Sequence, residues 1–139
     1  LERLIAEKGV DGQIQRVGAV NDDDKRAILH LARGVVLPSS SRAEAFGISL
    51  LEGLMAGKPL VSTELKTGTS WVNQHEKTGL VVSPQSPIAL REALLRLNED
   101  DCLVERMGQA ARARYEEAFT ATHMGKSYAA LYETILQEE

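Results

Sequence analysis

The order of apolar and polar positions divides the chain into alternating helical and extended stretches. Leu1, Leu4 and Ile5 form a helical stripe that stops at Gly9. Ile14, Val17 and Val20 mark a strand over 14–20. Asn21 and Asp22–Asp24 then open a helix over 22–32, because polar and acidic side chains suit the free N–H groups and positive dipole end of a first turn. Val35-Val-Leu-Pro38 is a short continuous apolar run, the pattern of a strand covered on both faces, and Pro59–Thr63 and Gly79–Ser83 repeat it. Between these runs fall a helix over Phe46–Ala56, stopped by Gly57, and one or two helical turns at Ser70–Gln74. The remainder reads as three helices: Pro87–Leu97, Leu103–Phe119, and a last one with Met124, Tyr128, Leu131, Tyr132 and Ile135 on a single stripe. Strands alternating with helices predict an α/β fold, a Rossmann-like parallel sheet flanked by helices.

Composition narrows the function classes. The 139 residues suffice for one domain with its own core. Sixteen Lys+Arg against twenty Asp+Glu give a formal charge of −4, so no basic excess points to nucleic acid as a partner. No apolar run is long enough to cross a bilayer, and charges interrupt the start where a signal peptide would need an apolar stretch. The one cysteine, Cys102, excludes an internal disulfide and a Cys-rich zinc site, and it is expected to be a half-buried structural thiol. His30, His75 and His123 share no ligand spacing, so no metal site is expected. The chain opens without methionine and reads as a piece cut from a longer protein.

In an open parallel sheet, ligands bind beyond the carboxyl ends of the strands. The segment after Val35–Pro38 is SSSRAEAFGISLLEGLMAG. On a helical wheel Ile48, Leu50, Leu51, Leu54 and Met55 fill one side and Ser49, Gly53 and Ala56 the other, a helix packed on nearly every face. Glu52 is the only charge between Ala45 and Gly57, so its carboxylate needs donors or a cation. Glu44 lies before the helix start, where Phe46, Gly47 and Ile48 offer backbone N–H groups suited to a phosphate or a polar sugar edge. Two carboxylates beside a helix N-terminus suggest a ligand with hydroxyls and phosphate, such as a nucleotide sugar. The spacing equally allows a structural reading, in which Glu44 caps the helix and Glu52 pairs with a nearby Arg or Lys.

Glu44-x7-Glu52, within EAFGISLLEGLMAGKPLVST, closely resembles the signature of retaining glycosyltransferases of the GT-B fold (group 1, family four). The match takes in VVLPS before it and GLVVSPQSPIALREAL after it. The resemblance implies the C-terminal half of a GT-B fold, truncated: residues 1–139 would be the nucleotide-sugar domain without its first strands and without the N-terminal acceptor domain. Glu44 would hold donor-sugar hydroxyls as the catalytic residue and Glu52 the ribose hydroxyls. Amides at Phe46, Gly47 and Ile48, with Ser49, would meet the sugar and diphosphate, and Arg16 and Val17 would flank the base. The implied reaction is metal-independent transfer of a mannose- or glucose-type hexose, with retention, from a nucleotide-diphosphate sugar to a glycan or lipid. The nucleotide sugar is a co-substrate and no cofactor is expected.

In the family, an Arg/Lys pair that balances the leaving diphosphate lies upstream of Leu1, and an acceptor-site histidine belongs to the N-terminal domain. The expected partners are therefore the nucleotide sugar, that N-terminal domain or a second copy of this chain, and at most a membrane surface. The expected location is cytoplasmic, with peripheral contact at the inner face of the membrane. Lys66 and Glu76 depart from the pattern by standing where glycine is usual, and Trp71 stands where glutamate is common. Arg42 and Lys58 are further candidates for holding phosphate. The competing class is a non-catalytic nucleotide-binding or interaction module on the same fold. A receiver- or flavodoxin-like domain is disfavoured, because Asp22–Asp24 opens a helix instead of ending a strand.

Overall fold

Three parallel strands, β1 (Val35–Leu37), β2 (Leu60–Thr63) and β3 (Gly79–Val82), pair in the order β1-β2-β3 in the computed structural model, which describes residues 2–137. Val36 lies opposite Val61, and Val61 opposite Leu80, so one register runs across the sheet. Helices α1 (Glu2–Lys8) and α2 (Asp22–Leu31) precede the sheet, with a 3-10 turn at Asp11–Gln13 between them. The others are α3 (Ile48–Met55), α4 (Gly68–Val72), α5 (Pro87–Glu99), α6 (Asp101–Ala118) and α7 (Ala121–Gln137).

Local chemistry sets these boundaries. The Asn21 side chain accepts from the Asp24 amide and starts α2. Ser86 does the same for Ala89 at α5, where Pro87 occupies the first turn, and Asp100 for Leu103 at α6.

Only the middle strand is covered on both faces. Every residue of β2 is buried, whereas Val36 in β1 is 41% exposed and Val81 and Val82 in β3 are half-buried. The run Val35–Leu37 therefore overstated its cover, because β1 lies at an edge of the sheet. One core layer joins Val61, Leu80, Ala93, Leu97, Leu103 and Met107, tying the sheet to α5 and α6. The other joins Leu50, Leu54, Leu60, Val72 and Ala111, tying α3, α4 and α6 to the opposite face. Gly53 permits that packing: a Cβ there would come 2.6 Å from the Leu60 side chain and 3.0 Å from Val35.

A buried polar knot links β2 to β3. Asn73 Nδ2 donates to Ser62 Oγ at 2.8 Å and to the Leu80 carbonyl at 3.3 Å, and the Thr78 hydroxyl donates to Asn73 Oδ1 at 3.1 Å. All three side chains are satisfied away from water, as burial requires.

Several expectations need correction. Residues 14–20 form no strand; Ile14, Val17 and Val20 are each at least 40% exposed. An apolar pattern makes a strand only with a ladder to join, and among the described residues β1 pairs with β2 alone. Cys102 is exposed in the first turn of α6, whose apolar face is carried instead by Leu103 and Met107. The stripe on α7 is bare: Met124, Tyr128, Leu131, Tyr132 and Ile135 are all half exposed or more. No helix among the described residues is long and apolar enough to cross a membrane.

Candidate functional site

The loop from Pro38 to Gly47 carries the chain from the carboxyl end of β1 to the start of α3. Its path is held by short-range bonds. The Ala43 amide donates to Ser41 Oγ at 3.0 Å, and the Thr63 hydroxyl at the end of β2 donates to the Ser39 carbonyl. Thr67 Oγ1 donates to the Glu44 carbonyl at 2.9 Å and the Gly68 amide to the Ala45 carbonyl at 2.8 Å. The loop after β2 thus fastens the segment that bears Glu44. A Cβ on Gly68 would come 2.8 Å from the Ala45 carbonyl oxygen, so this fastening depends on glycine. Sequence reading missed Thr67 and Gly68, whose contacts join distant loops.

Gly47 is the N-cap of α3 and lies in the left-handed region at φ +85°. A side chain there would be strained and would meet Leu50 and Leu37 as well. The expected helix start at Phe46 is therefore two residues early. Gly47 turns the chain, and Glu44 Oε1 accepts from the Gly47 amide at 3.0 Å. The amides of Phe46, Ile48 and Ser49 have no protein acceptor among the described residues. Glu44 is half-buried, whereas Ile48 and Ser49 are exposed. Ile48, expected on the packed apolar side of a helix covered on nearly every face, is 69% exposed and leaves one face of α3 open at this end.

Glu52 stands one turn beyond Ile48 on that same open face. Two lysine side chains tie α2 to the α3 region: Lys58 Nζ, beyond the end of α3, donates to the His30 carbonyl at 2.6 Å, and Lys25 Nζ donates to Glu52 Oε1 at 2.8 Å. The same ammonium lies 3.2 Å from Asp22. Its bonds to Glu52 and then Asp22 hold the Lys25 pKa above its ordinary value.

Both carboxylates therefore have structural partners, Glu44 in the Gly47 amide and Glu52 in the Lys25 ion pair, while each keeps an oxygen with no protein donor among the described residues. Lys58 follows the C-terminus of α3 and precedes β2, so it lies at the amino end of the strands, away from Glu44. Arg42 is on the near loop, 3.4 Å from the Lys66 carbonyl. Arg16 is engaged with Glu2, Val17 is 52% exposed, and no hydrogen bond or ion pair joins either to the α3 start.

Lys66 and Glu76, which stand where glycine is usual, have φ of 54° and 61°. Each is tied down: the Lys66 amide donates to Glu64 at 2.7 Å, and the Glu76 carboxylate receives both Arg96 terminal nitrogens at 2.7 and 3.2 Å. Trp71 packs edge-on against Phe119, with centroids 4.9 Å apart, and tilted against Phe46 at 6.3 Å. Arg114 lies over the Trp71 ring at 5.3 Å.

Known proteins resemble this chain in sequence and in fold. The family model for glycosyl transferases group 1 matches residues 1–114. The chain is 53% identical over 105 residues to D-rhamnosyltransferase WbpZ of Pseudomonas aeruginosa, covering 76% of this chain and 28% of the relative. It is 46% identical over 122 residues to O-antigen chain mannosyltransferase C of Escherichia coli, covering 88% and 33% respectively. It thus spans about a third of these relatives. Among solved structures, sucrose-phosphate synthase from Thermosynechococcus elongatus superposes with a TM-score of 0.84 at 27% identity, over 99% of this chain and 34% of that one. Anabaena HepE in complex with UDP superposes with a TM-score of 0.87 at 19% identity, over 96% and 35%.

Proposed function

This chain belongs to the group 1 glycosyl transferases, and from that premise we propose that it is the donor-binding domain of a retaining hexosyltransferase. In the full protein the domain would present a nucleotide-diphosphate sugar, of mannose or glucose type, to a glycan or lipid acceptor, with no metal. The observation that carries this reading is the start of α3. There, three amides without an acceptor among the described residues and the Glu44 carboxylate follow the carboxyl end of β1, and Glu52 stands one turn further along the open face of α3.

Glu44 is the residue placed to meet the donor sugar, since its one free oxygen can accept a hydroxyl while the other keeps the loop capped. The amides of Phe46, Ile48 and Ser49 receive diphosphate or sugar oxygens, and Glu52 receives the ribose diol. Arg16 and Val17 flank the base. The leaving diphosphate gathers negative charge in the transition state, so cations must face it. Arg42 is the cation on the near loop, and the rest come from the longer protein, which also supplies the acceptor half of the cleft. The rhamnosyl- and mannosyltransferase names of the relatives support a deoxyhexose or hexose donor. The UDP-bound fold neighbour supports a nucleotide ligand. Work at the cytoplasmic face of a membrane suits such a reaction.

A second reading, a module that kept the fold without the chemistry, is favoured by one fact: each carboxylate already has a structural partner. Calorimetric titration with UDP- and GDP-sugars separates the two. Saturable binding that is lost in Glu52→Ala supports the donor site. Absence of binding, or binding indifferent to Glu52→Ala, removes it.

A further inference from the structure

Lys25 lies outside the family-signature segment, on a different helix, yet its ammonium makes the only side-chain bond to Glu52 among the described residues. The local arrangement is specific. Asp22, one turn earlier on α2, holds the ammonium from one side at 3.2 Å, and Glu52 Oε1 takes it at 2.8 Å from the other. Lys25 is 40% exposed and Glu52 30% exposed, so the pair is open to solvent and in reach of a ligand. One carboxylate oxygen is committed to the ammonium, and the other has no protein donor among the described residues.

We propose that Lys25 is a positioning residue for nucleoside recognition, fixing the Glu52 carboxylate so that its free oxygen accepts the ribose hydroxyls. The inference rests on the donor-site reading above. A carboxylate on an open helix face samples several rotamers, and holding one beforehand lowers the ordering cost of binding. A bound nucleoside also takes water away from Glu52. A carboxylate stripped of water needs a compensating cation, and Lys25 supplies it without occupying the second oxygen. Asp22 keeps the ammonium from moving across to that oxygen.

The measurement is a set of dissociation constants for UDP and GDP and for their 2′,3′-dideoxy forms, on the purified chain and on Lys25→Met, Lys25→Arg and Glu52→Ala. The unmodified chain is expected to prefer the ribonucleotides. Lys25→Met should weaken ribonucleotide binding by about tenfold, the scale of one charge-assisted hydrogen bond, and bring the ribose preference close to that of Glu52→Ala. Lys25→Arg should restore most of both. A merely structural lysine would weaken all four nucleotides alike, so an unchanged ribose preference in Lys25→Met overturns the inference, as does tighter ribonucleotide binding. Lys25→Gln, close in length and neutral, takes the same measurement if Lys25→Met does not fold. Failure of the donor-site reading looks different: the unmodified chain binds none of the nucleotides, or Glu52→Ala binds them as well as it does.

Discussion

At the residue scale, Gly47 and Glu44 act as one device. Gly47 adopts φ +85° to turn the chain into α3, and its amide is held by Glu44. Gly47→Ala should therefore cost about 1–2 kcal/mol of unfolding free energy, through a backbone that L-residues avoid and a Cβ crowding Leu50. Glu44→Ala should lose that hydrogen bond, about 1 kcal/mol, while Glu44→Gln, which keeps an acceptor, should lose little stability. Denaturant melts of the three variants check this. If Glu44→Ala is as stable as the parent, the Glu44–Gly47 bond adds nothing in solution.

The Glu76 carboxylate offers a pH test at the same scale. Its bonds to Arg96 hold its pKa below the ordinary value of 4.5. A depressed folded-state pKa contributes stability that is present above the unfolded value and lost as pH falls through the folded one. Glu76→Gln should therefore melt below the parent at neutral pH, and the gap should close on acidification below about pH 4.5. A gap that persists at the lowest pH assigns the effect to packing or to the φ of 61° at position 76 instead.

At the element scale, α3 is where packing and site geometry meet. Leu50 and Leu54 are fully buried beneath it, and Gly53 lets its backbone approach Val35 and Leu60. Leu54→Ala should cost about 2–5 kcal/mol, and Gly53→Val should be worse, because the added atoms would push the helix off the sheet. Since the amides at the start of α3 are fixed by that seat, a folded Gly53→Ala chain should bind nucleotide more weakly than the parent. Thermal melts paired with titration read both effects. Helix ends with side-chain caps, at Asn21, Ser86 and Asp100, were readable within one or two residues because the signal is local. The start of α3 was misplaced because Gly47 caps it through a left-handed backbone, its amide held by Glu44 three residues earlier, and composition does not show that conformation.

At the scale of the whole molecule, the chain has unpartnered surface. The apolar stripe of α7 lies open, and so do Val36 on β1 and Ile14 and Val17 before α2. Full burial of one large apolar side chain is worth about 1.5–3 kcal/mol, so the isolated chain should self-associate through α7. Sedimentation at high micromolar concentration should show a species larger than 15.2 kDa, and Leu131→Glu with Ile135→Glu should shift it toward monomer. A parent chain that stays monomeric there would show that the stripe tolerates water. The purified chain alone should turn over no nucleotide sugar, because it spans about a third of its curated relatives and charge stabilisation needs groups on both sides of a cleft. Turnover above a no-protein control would contradict that.

The sequence by itself determined the order of elements from Asp22 onward, the parallel sheet and the family. Those signals reside in local caps, in short apolar runs and in the one contiguous segment from Glu44 to Glu52. It also marked Lys66 and Glu76 as backbone positions suited to glycine, and both adopt positive φ. Tertiary structure decided what depends on distant partners. Residues 14–20 have strand composition but no strand beside them, and β1 and β3 are less covered than their apolar runs implied because they are edges. The partner of Glu52 is Lys25, 27 residues away on another helix, and the loop of Glu44 is fastened by Thr67 and Gly68 from beyond β2. Neither spacing nor composition encodes such pairs, because each forms only after the sheet has brought separate segments to one edge.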